Sequence, residues 1–264
     1  MNLAVEGDVA FGGDEVLLLQ DDNLIAKTPW AERGFNVERF LDGAAHQALR
    51  KGIEAFLVAA INEHLGMNLT SLDLGKYHEV VDTDEKHLAL VSHTRDGFPL
   101  SRFPVDLARL EGRLSEILGI DVCSTNPYLK TEQVFFVRVI RPGKTRDNNP
   151  PHRDVWLDFY RNCVNIYVPI VGSNERSSLP MMAGSHLWKE SDIARTVTGA
   201  RVSGLDYRVP TVTDAKKKIE MERPNPGENE MIVFSPYLIH GGGVNLNEDT
   251  TRMSLEMRFW RRPS

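Results

Sequence analysis

Three residues that can bind a metal ion lie in two segments of the sequence. His152 and Asp154 are two residues apart, just after Pro150-Pro151, and His240 is followed by three glycines. Residues two apart in an extended chain point to the same face, so this imidazole and this carboxylate can reach one point. Two histidines and one carboxylate leave open positions on an octahedral Fe(II) ion, and catalytic zinc ions use similar ligands. We therefore predict that His152, Asp154 and His240 form a catalytic metal site.

An arginine and a serine follow in a predicted strand. Arg252 and Ser254 are two residues apart and therefore share one face of that strand. A guanidinium inside a protein needs an anionic partner, and its planar pair of donors matches a carboxylate. We predict that both residues bind a dicarboxylate cofactor whose other end reaches the metal. Arg258, on the same face, is a second candidate, and pairing of Arg252 with a surface glutamate is the alternative without a ligand.

Three further residues are weaker candidates for cofactor binding. Gln133 lies in the predicted strand before the first metal segment, Trp156 follows that segment, and Asn165 lies in the next predicted strand. Each has an ordinary alternative, because an indole packs well in a core and a strand residue need not contact a ligand. Arg138 is a further inward candidate beside Gln133. Together with the charges of the last strand, it favours a small polar substrate.

Helices and then short strands must hold these residues in place. Apolar residues at steps of three and four predict helices over 44–65 and 104–118, with Gly66 and Gly119 as C-caps. Alternating or β-branched runs predict strands over 133–140, 163–171, 231–234 and 252–260. Helices followed by strands favour a mainly β sandwich or barrel with supporting helices. Residues 173–227 have little strand pattern, and we predict a long substrate-binding excursion there.

Composition and charge narrow the class of protein. The chain has 31 Lys and Arg against 37 Asp and Glu, a formal charge of −6, which argues against a dedicated nucleic-acid binder because neutralising phosphates requires excess cations. The two cysteines lack the spacing of a zinc site, so we expect buried thiols. The sequence shows neither a signal-peptide pattern nor a membrane-spanning apolar run. We expect a soluble, cytoplasmic protein with a small-molecule substrate, and a monomer and a dimer fit equally well.

The order and spacing of these motifs resemble a known family. The two metal segments, followed by an Arg-x-Ser motif, are similar to those of the Fe(II)/2-oxoglutarate-dependent dioxygenases, specifically the phytanoyl-CoA hydroxylase-like group. Residues 181–188 resemble a Pro-Gly-Ser-His stretch of that group, and residues 227–240 resemble its strand that leads into the distal histidine. The resemblance covers about residues 133–262, roughly half of the chain.

The resemblance implies a fold and a set of ligands. The fold is a double-stranded β-helix, the jelly roll of cupin-like proteins, with the metal inside its mouth. Residues 1–264 would form one domain, with helical support mostly in 1–130 and the metal-bearing core in about 131–262. The three metal candidates would bind Fe(II), and Arg252 with Ser254 would hold the distal carboxylate of 2-oxoglutarate, with O₂ as the oxidant.

The implied reaction is hydroxylation, or another two-electron oxidation, of a small polar molecule, with succinate and CO₂ as co-products. Members of the group that halogenate have lost the carboxylate ligand, so Asp154 argues against halogenation. Two alternatives remain at this point: a zinc-dependent hydrolase on a jelly-roll scaffold, and a non-catalytic jelly-roll binding protein. The fold alone does not decide among the three.

Overall fold

The computed structural model describes residues 5–94, 98–129, 134–202 and 204–263. The α-helices in these ranges all lie in the N-terminal half: α1 (Gly43–Leu65), α2 (Tyr77–Val80), α3 (Asp84–Thr94) and α4 (Leu107–Leu118). The strands are β1 (Val5–Glu6), β2 (Val9–Phe11), β3 (Phe35–Arg39), β4 (Phe98–Pro99), β5 (Val122–Cys123), β6 (Val134–Ile140), β7 (Cys163–Val171), β8 (Ile193–Thr196), β9 (Ala200–Val202), β10 (Leu205–Tyr207), β11 (Val212–Ala215), β12 (Glu230–Phe234) and β13 (Arg252–Arg261).

The two helices predicted from the sequence carry a cap at each end. An aspartate side chain accepts an amide hydrogen bond at the start of each helix, and a glycine with φ of 65° ends it: Asp42 and Gly66 for α1, and Asp106 and Gly119 for α4. The predicted bounds of α1 are confirmed to within one residue. The predicted start of α4 at Pro104 is wrong, and the helix begins at Leu107 because Asp106 supplies the N-cap.

A seven-stranded antiparallel sheet forms the centre of the molecule. Its strand order is β3-β12-β7-β13-β6-β4, with β5 paired to the end of β13. The four strands predicted from the sequence are its β6, β7, β12 and β13, which confirms them over the described residues. Two helices, α1 and α4, pack their buried leucines and isoleucines on one face of this sheet.

The alternation along β13 separates that apolar layer from a polar one. Met253, Leu255, Met257 and Phe259 belong to the core under the helices. The residues between them face the other way, and Arg252, Glu256 and Arg258 line a cavity there. The predicted face of this strand is therefore confirmed.

The excursion over 173–227 is more regular than expected. Strands β8 to β11 lie within it and form two three-stranded sheets, β1-β9-β10 and β11-β8-β2, with the N-terminal strands. The excursion lies between the core strands β7 and β12, as predicted, and its strands of three or four residues are too short to give a period-two signal in the sequence. These small sheets complete the mainly β, jelly-roll architecture on the side of the large sheet away from the helices.

Two smaller expectations are also decided. Cys123 and Cys163 are free, buried thiols, as predicted. Across the described ranges, every helix is too short or too polar to cross a membrane.

Candidate metal centre and its cavity

Two paired backbone segments bring the predicted metal ligands together. The amide of His152 donates to the carbonyl of His240 (2.9 Å), and the amide of His240 donates to the carbonyl of His152 (3.0 Å). This exchange places the imidazoles side by side, with ring centroids 4.5 Å apart. A Cβ atom on Gly241 would lie 2.7 Å from the carbonyl oxygen of Pro150, so the close approach requires a glycine after His240.

Both imidazoles turn the same nitrogen away from the backbone. Nδ1 of His152 donates to the carbonyl of Pro150 (2.7 Å), and Nδ1 of His240 donates to the carbonyl of Leu238 (2.9 Å). Since a carbonyl only accepts, Nδ1 carries the proton in each ring and Nε2 keeps its lone pair when the ring is neutral. Burial and the neighbouring His152 lower the pKa of His240 to about 4, so this ring is neutral at pH 7.

Asp154 contributes the third ligand atom. Its Oδ1 lies 3.1 Å from Nε2 of His152 and 3.7 Å from Nε2 of His240. Its Oδ2 accepts hydrogen bonds from Nη2 of Arg258 (2.6 Å) and Nδ2 of Asn165 (2.9 Å). Burial opposes ionisation of Asp154, but the Arg258 guanidinium together with His152 and His240 outweighs it and holds the pKa of that carboxyl well below its usual range.

This donor set fits a transition-metal ion with open positions. Two imidazole nitrogens and one carboxylate oxygen, all buried, lie within 4.8 Å of one another, which is the ligand type of a two-histidine, one-carboxylate iron site. A second group of potential ligands, His78, Glu79 and Asp249, is mostly exposed. Its two carboxylates already pair with the ammonium of Lys76, so it lacks uncommitted anionic ligands.

A cavity of about 130 Å³ opens beside the three ligands, and Arg252 lines one part of it. The Arg252 side chain is 3% exposed, and its Nη1 donates to the hydroxyl of Ser254 (3.0 Å). Its Nε is buried without a hydrogen-bond partner. Among the described residues, no carboxylate forms an ion pair with this guanidinium. A buried, unneutralised cation on the wall of a cavity fits an anionic ligand group.

A second arginine strengthens the positive potential near Arg252. Arg223 donates to the carbonyls of Ser178 (2.8 Å) and Val244 (3.0 Å). Burial lowers the pKa of Arg223, and the charge of Arg252 lowers it further. The two guanidinium groups therefore repel each other, and an anion bound at Arg252 would relieve that repulsion.

Another part of the cavity carries an ion pair and hydrocarbon side chains. Nε of Arg138 lies 2.9 Å from Oε2 of Glu256, and Tyr160 and Leu157 line the same cavity. Burial opposes ionisation of Glu256, but Arg138 and Arg258 together lower its pKa. Glu256 is therefore ionised, and this part of the cavity offers a carboxylate beside a guanidinium.

The three weaker candidates for cofactor binding are Asn165, Trp156 and Gln133. Asn165 donates to Asp154, one of the three predicted metal ligands, and is absent from the cavity lining. Trp156 is likewise absent from the lining: its indole donates to Glu190 (3.0 Å) and packs against a core cluster, so its role in cofactor binding stays a prediction. Gln133 lies outside the described residues.

Two arginines near the cavity, Arg258 and Arg223, have contacts that the sequence does not predict. Arg258 is on the expected face, but its pairing with Asp154, from a segment far away in the chain, has no sequence signal. Arg223 lies in the excursion over 173–227, where the sequence has no periodic pattern that would predict the direction of its side chain. The period-two spacing of the last strand was the one available clue, and it placed Arg258 on the correct face.

The sequence model of the phytanoyl-CoA dioxygenase family matches residues 32–254. No curated protein matches the sequence. Three solved structures illustrate the structural neighbours. AviO1 from Streptomyces viridochromogenes Tue57 is 12% identical, with coverage of 88% of this chain and 93% of that chain and a TM-score of 0.48.

The other two structures also match most of the chain. The non-heme alpha ketoglutarate dependent carbocyclase SnoK from nogalamycin biosynthesis is 14% identical, with coverage of 96% of this chain and 91% of that chain and a TM-score of 0.47. EctD from S. alaskensis, in its apoform, is also 14% identical, with coverage of 97% of this chain and 85% of that chain and a TM-score of 0.46.

Proposed function

The chain belongs to the phytanoyl-CoA dioxygenase family, and from that premise we propose that it hydroxylates a small polar molecule with succinate and CO₂ as co-products. Membership of this family makes the protein an oxidoreductase that uses Fe(II), 2-oxoglutarate and O₂ and acts on a small molecule. The zinc hydrolase and the non-catalytic binding protein are thereby set aside. The polarity of the substrate, its hydroxylation and the role of each residue are parts of the proposal.

The convergence of three ligand atoms carries the proposal. Nε2 of His152, Nε2 of His240 and Oδ1 of Asp154 would bind Fe(II). The Nδ1 hydrogen bonds to backbone carbonyls hold both rings in the required tautomer and orientation. Because these bonds use rigid backbone acceptors, little side-chain ordering remains to be done when the ion binds.

Arg252 would hold the distal carboxylate of 2-oxoglutarate. Its guanidinium presents parallel donors, the Ser254 hydroxyl orients it, and Arg223 adds positive potential beside it. The burial of Arg252 increases the strength of such a pair because water screens it little. When bound, iron and 2-oxoglutarate supply the oxidising power of the reaction, while the protein supplies orientation and excludes water.

The Arg138–Glu256 pair supports a polar substrate. A substrate with a hydrogen-bond acceptor and a donor would find both partners on this wall of the cavity. Tyr160 and Leu157 would contact its apolar part. Asp154 supports hydroxylation over halogenation, because its carboxylate would occupy the metal position that halogenating members of the group leave for the halide.

Succinate formation tests this function directly. Protein loaded anaerobically with Fe(II) and 2-oxoglutarate would be exposed to O₂, and succinate would be measured for the wild type, His152→Ala and Arg252→Ala. Arg176→Ala is a matched control, since Arg176 is exposed and pairs with Glu248 at the surface. We expect slow turnover without substrate in the wild type and the control, and none above background in the other two variants.

Binding of 2-oxoglutarate is measured in parallel by calorimetry on Mn(II)-loaded protein without O₂. Binding that needs both His152 and Arg252 supports the assignment even where turnover awaits the substrate. Absence of both binding and succinate in the wild type would overturn it.

A further inference from the structure

The two oxygens of the Asp154 carboxylate have different surroundings. Oδ1 faces the imidazoles of His152 and His240, at 3.1 and 3.7 Å from their Nε2 atoms. Oδ2 accepts three hydrogen bonds, from Nη2 (2.6 Å) and Nε (3.2 Å) of Arg258 and from Nδ2 of Asn165 (2.9 Å). An oxygen with three donors around it is fully occupied by the protein.

The guanidinium that makes two of these bonds is itself held in place. The Arg258 side chain is 9% exposed, and its central carbon lies 4.0 Å from the centre of the Tyr160 ring and 5.6 Å from that of Phe136. Cation–π contacts of this kind fix the plane of the guanidinium. Arg258 also stands directly across from Asn165 on the neighbouring strand, so two adjacent strands supply all three donors.

We propose that Arg258 is a positioning residue that restricts Asp154 to one metal-binding oxygen, Oδ1, by holding Oδ2 away from the ion. The inference rests on the proposed metal ligands. It concerns neither the binding of 2-oxoglutarate at Arg252 nor the identity of the substrate.

The number of open metal positions depends on this restriction. On a six-coordinate ion, two histidines and one carboxylate oxygen leave three positions, enough for a two-point co-substrate and O₂. If both oxygens of Asp154 bound the ion, two positions would remain, and the co-substrate alone would fill them. Arg258 would therefore preserve the third position by occupying Oδ2.

The number of waters on the metal separates the proposal from a purely electrostatic role. A guanidinium so close to a metal site repels a divalent cation, so removing Arg258 should tighten metal binding in either role. Only a residue that holds Oδ2 away from the ion changes the number of open metal positions when it is removed. The relaxation caused by metal-bound water therefore distinguishes the two roles.

The test measures Mn(II) affinity by calorimetry in the wild type, Arg258→Met, Arg258→Lys and Arg138→Gln. Arg138→Gln is the matched control, because Arg138 lines the same cavity but pairs with Glu256 and not with Asp154. Water-proton relaxation of the Mn(II)- and 2-oxoglutarate-loaded proteins reports whether a metal position remains open to solvent. Thermal unfolding verifies that each variant is folded.

We expect Arg258→Met to bind Mn(II) at least as tightly as the wild type and to show a lower relaxation rate with 2-oxoglutarate bound, because Oδ2 then takes the metal position that water would occupy. Arg258→Lys keeps the charge but offers one donor atom, so its relaxation rate should lie between those of Arg258→Met and the wild type. If Arg258→Met does not fold, Arg258→Lys takes its place in the comparison. Arg138→Gln should match the wild type in metal affinity. An unchanged relaxation rate in both Arg258→Met and Arg258→Lys, or weaker Mn(II) binding by both, would overturn the proposal. Failure of the wild type to bind Mn(II) would instead count against the proposed metal ligands.

Discussion

Two arginines on one face of β13 have different partners, and we propose different functions for them on that ground. Arg258 has a carboxylate partner inside the protein, Asp154, and its charge is already neutralised. Arg252 has only the Ser254 hydroxyl as a hydrogen-bond partner among the described residues. Both side chains are buried on the same cavity, so exposure does not separate them. A buried cation without an anion indicates a ligand site more strongly than the residue type does.

The Arg252 side chain should therefore decide 2-oxoglutarate affinity without affecting the metal. Hydrogen bonds to charged groups contribute about 1.5–3 kcal/mol, so Arg252→Met should weaken 2-oxoglutarate binding to the Mn(II)-loaded protein by roughly 10–100-fold. Mn(II) affinity should stay within about twofold, because Arg252 touches none of the three ligands. Calorimetric titrations of both ligands provide the measurement.

Arg138→Gln is the control for this pair of titrations. Its partner is Glu256, and it should leave 2-oxoglutarate affinity near that of the wild type. An unchanged affinity in Arg252→Met would assign the co-substrate carboxylate to a residue other than Arg252.

The long elements of this protein are readable from its sequence, and the short ones are not. The helix of 44–65 and the strand of 163–171 were predictable because each carries a periodic pattern over many residues. The period-two alternation of β13 also fixed which residues face the cavity. Strands β8 to β11 were not predicted, because a strand of three or four residues is too short to show a periodic pattern in the sequence. Its formation depends on the strands that it pairs with in the folded chain.

In the candidate site, too, the features that depend on local spacing were predictable and those that depend on distant partners were not. The ligand types and the pairing of His152 with Asp154 follow from local spacing, because residues two apart share a face. The role of Trp156 was not predictable, because its partner Glu190 comes from the distant excursion. The contact of Asn165 with Asp154 similarly depends on a register between β7 and the metal segment that only the folded chain defines.

The glycine after His240 should be essential because it sets the distance between the two metal segments. Gly241 has φ of 104°, and an added Cβ would lie 2.7 Å from the Pro150 carbonyl oxygen, the acceptor that orients the His152 ring. Gly143 also has a positive φ, 67°, but an added Cβ would meet nothing within 4 Å. Alanine at both positions therefore carries the same kind of backbone strain, about 1–2 kcal/mol, while the collision at Gly241 adds about 1–3 kcal/mol.

Gly241→Ala should therefore lower the free energy of unfolding by more than Gly143→Ala and should also weaken Mn(II) binding. Denaturant unfolding and calorimetry measure the two effects. If both variants lost equal stability and both kept wild-type metal affinity, the close approach at Gly241 would not position the site.

A buried network joins the helical layer to the metal-bearing layer. The Arg141 guanidinium, at the end of β6, binds both carboxylate oxygens of Asp147 (2.8 and 2.9 Å) and reaches Asp84 of α3 (2.8 Å). His87 of α3 lies 3.4 Å from Asp147 and contacts the Tyr77 hydroxyl (3.2 Å). Because Asp147 lines the cavity, the helices support the wall of the site as well as covering the sheet.

That network should make the stability of the whole molecule depend on pH through His87. Burial lowers the pKa of His87 from its ordinary value of 6.5 to about 4. The carboxylate of Asp147 acts to raise this pKa, and the positive charge of Arg141 offsets part of that effect. Between these two pH values the unfolded chain binds the proton and the folded chain does not, so stability is lost as the pH falls from 6.5 towards 4. From pH 7.5 to 5 this group alone should cost about 2 kcal/mol of unfolding free energy.

His87→Gln cannot take up a proton, so its stability should fall less steeply over the same range. Urea unfolding of both proteins at pH 7.5, 6.5, 5.5 and 5 measures the difference. The variant starts less stable at pH 7.5, because it loses the contacts with Tyr77 and Asp147. The gap should then close by about 2 kcal/mol by pH 5. Parallel curves for the two proteins would mean that His87 has no lowered pKa in the folded state, and acid lability would have to come from other groups.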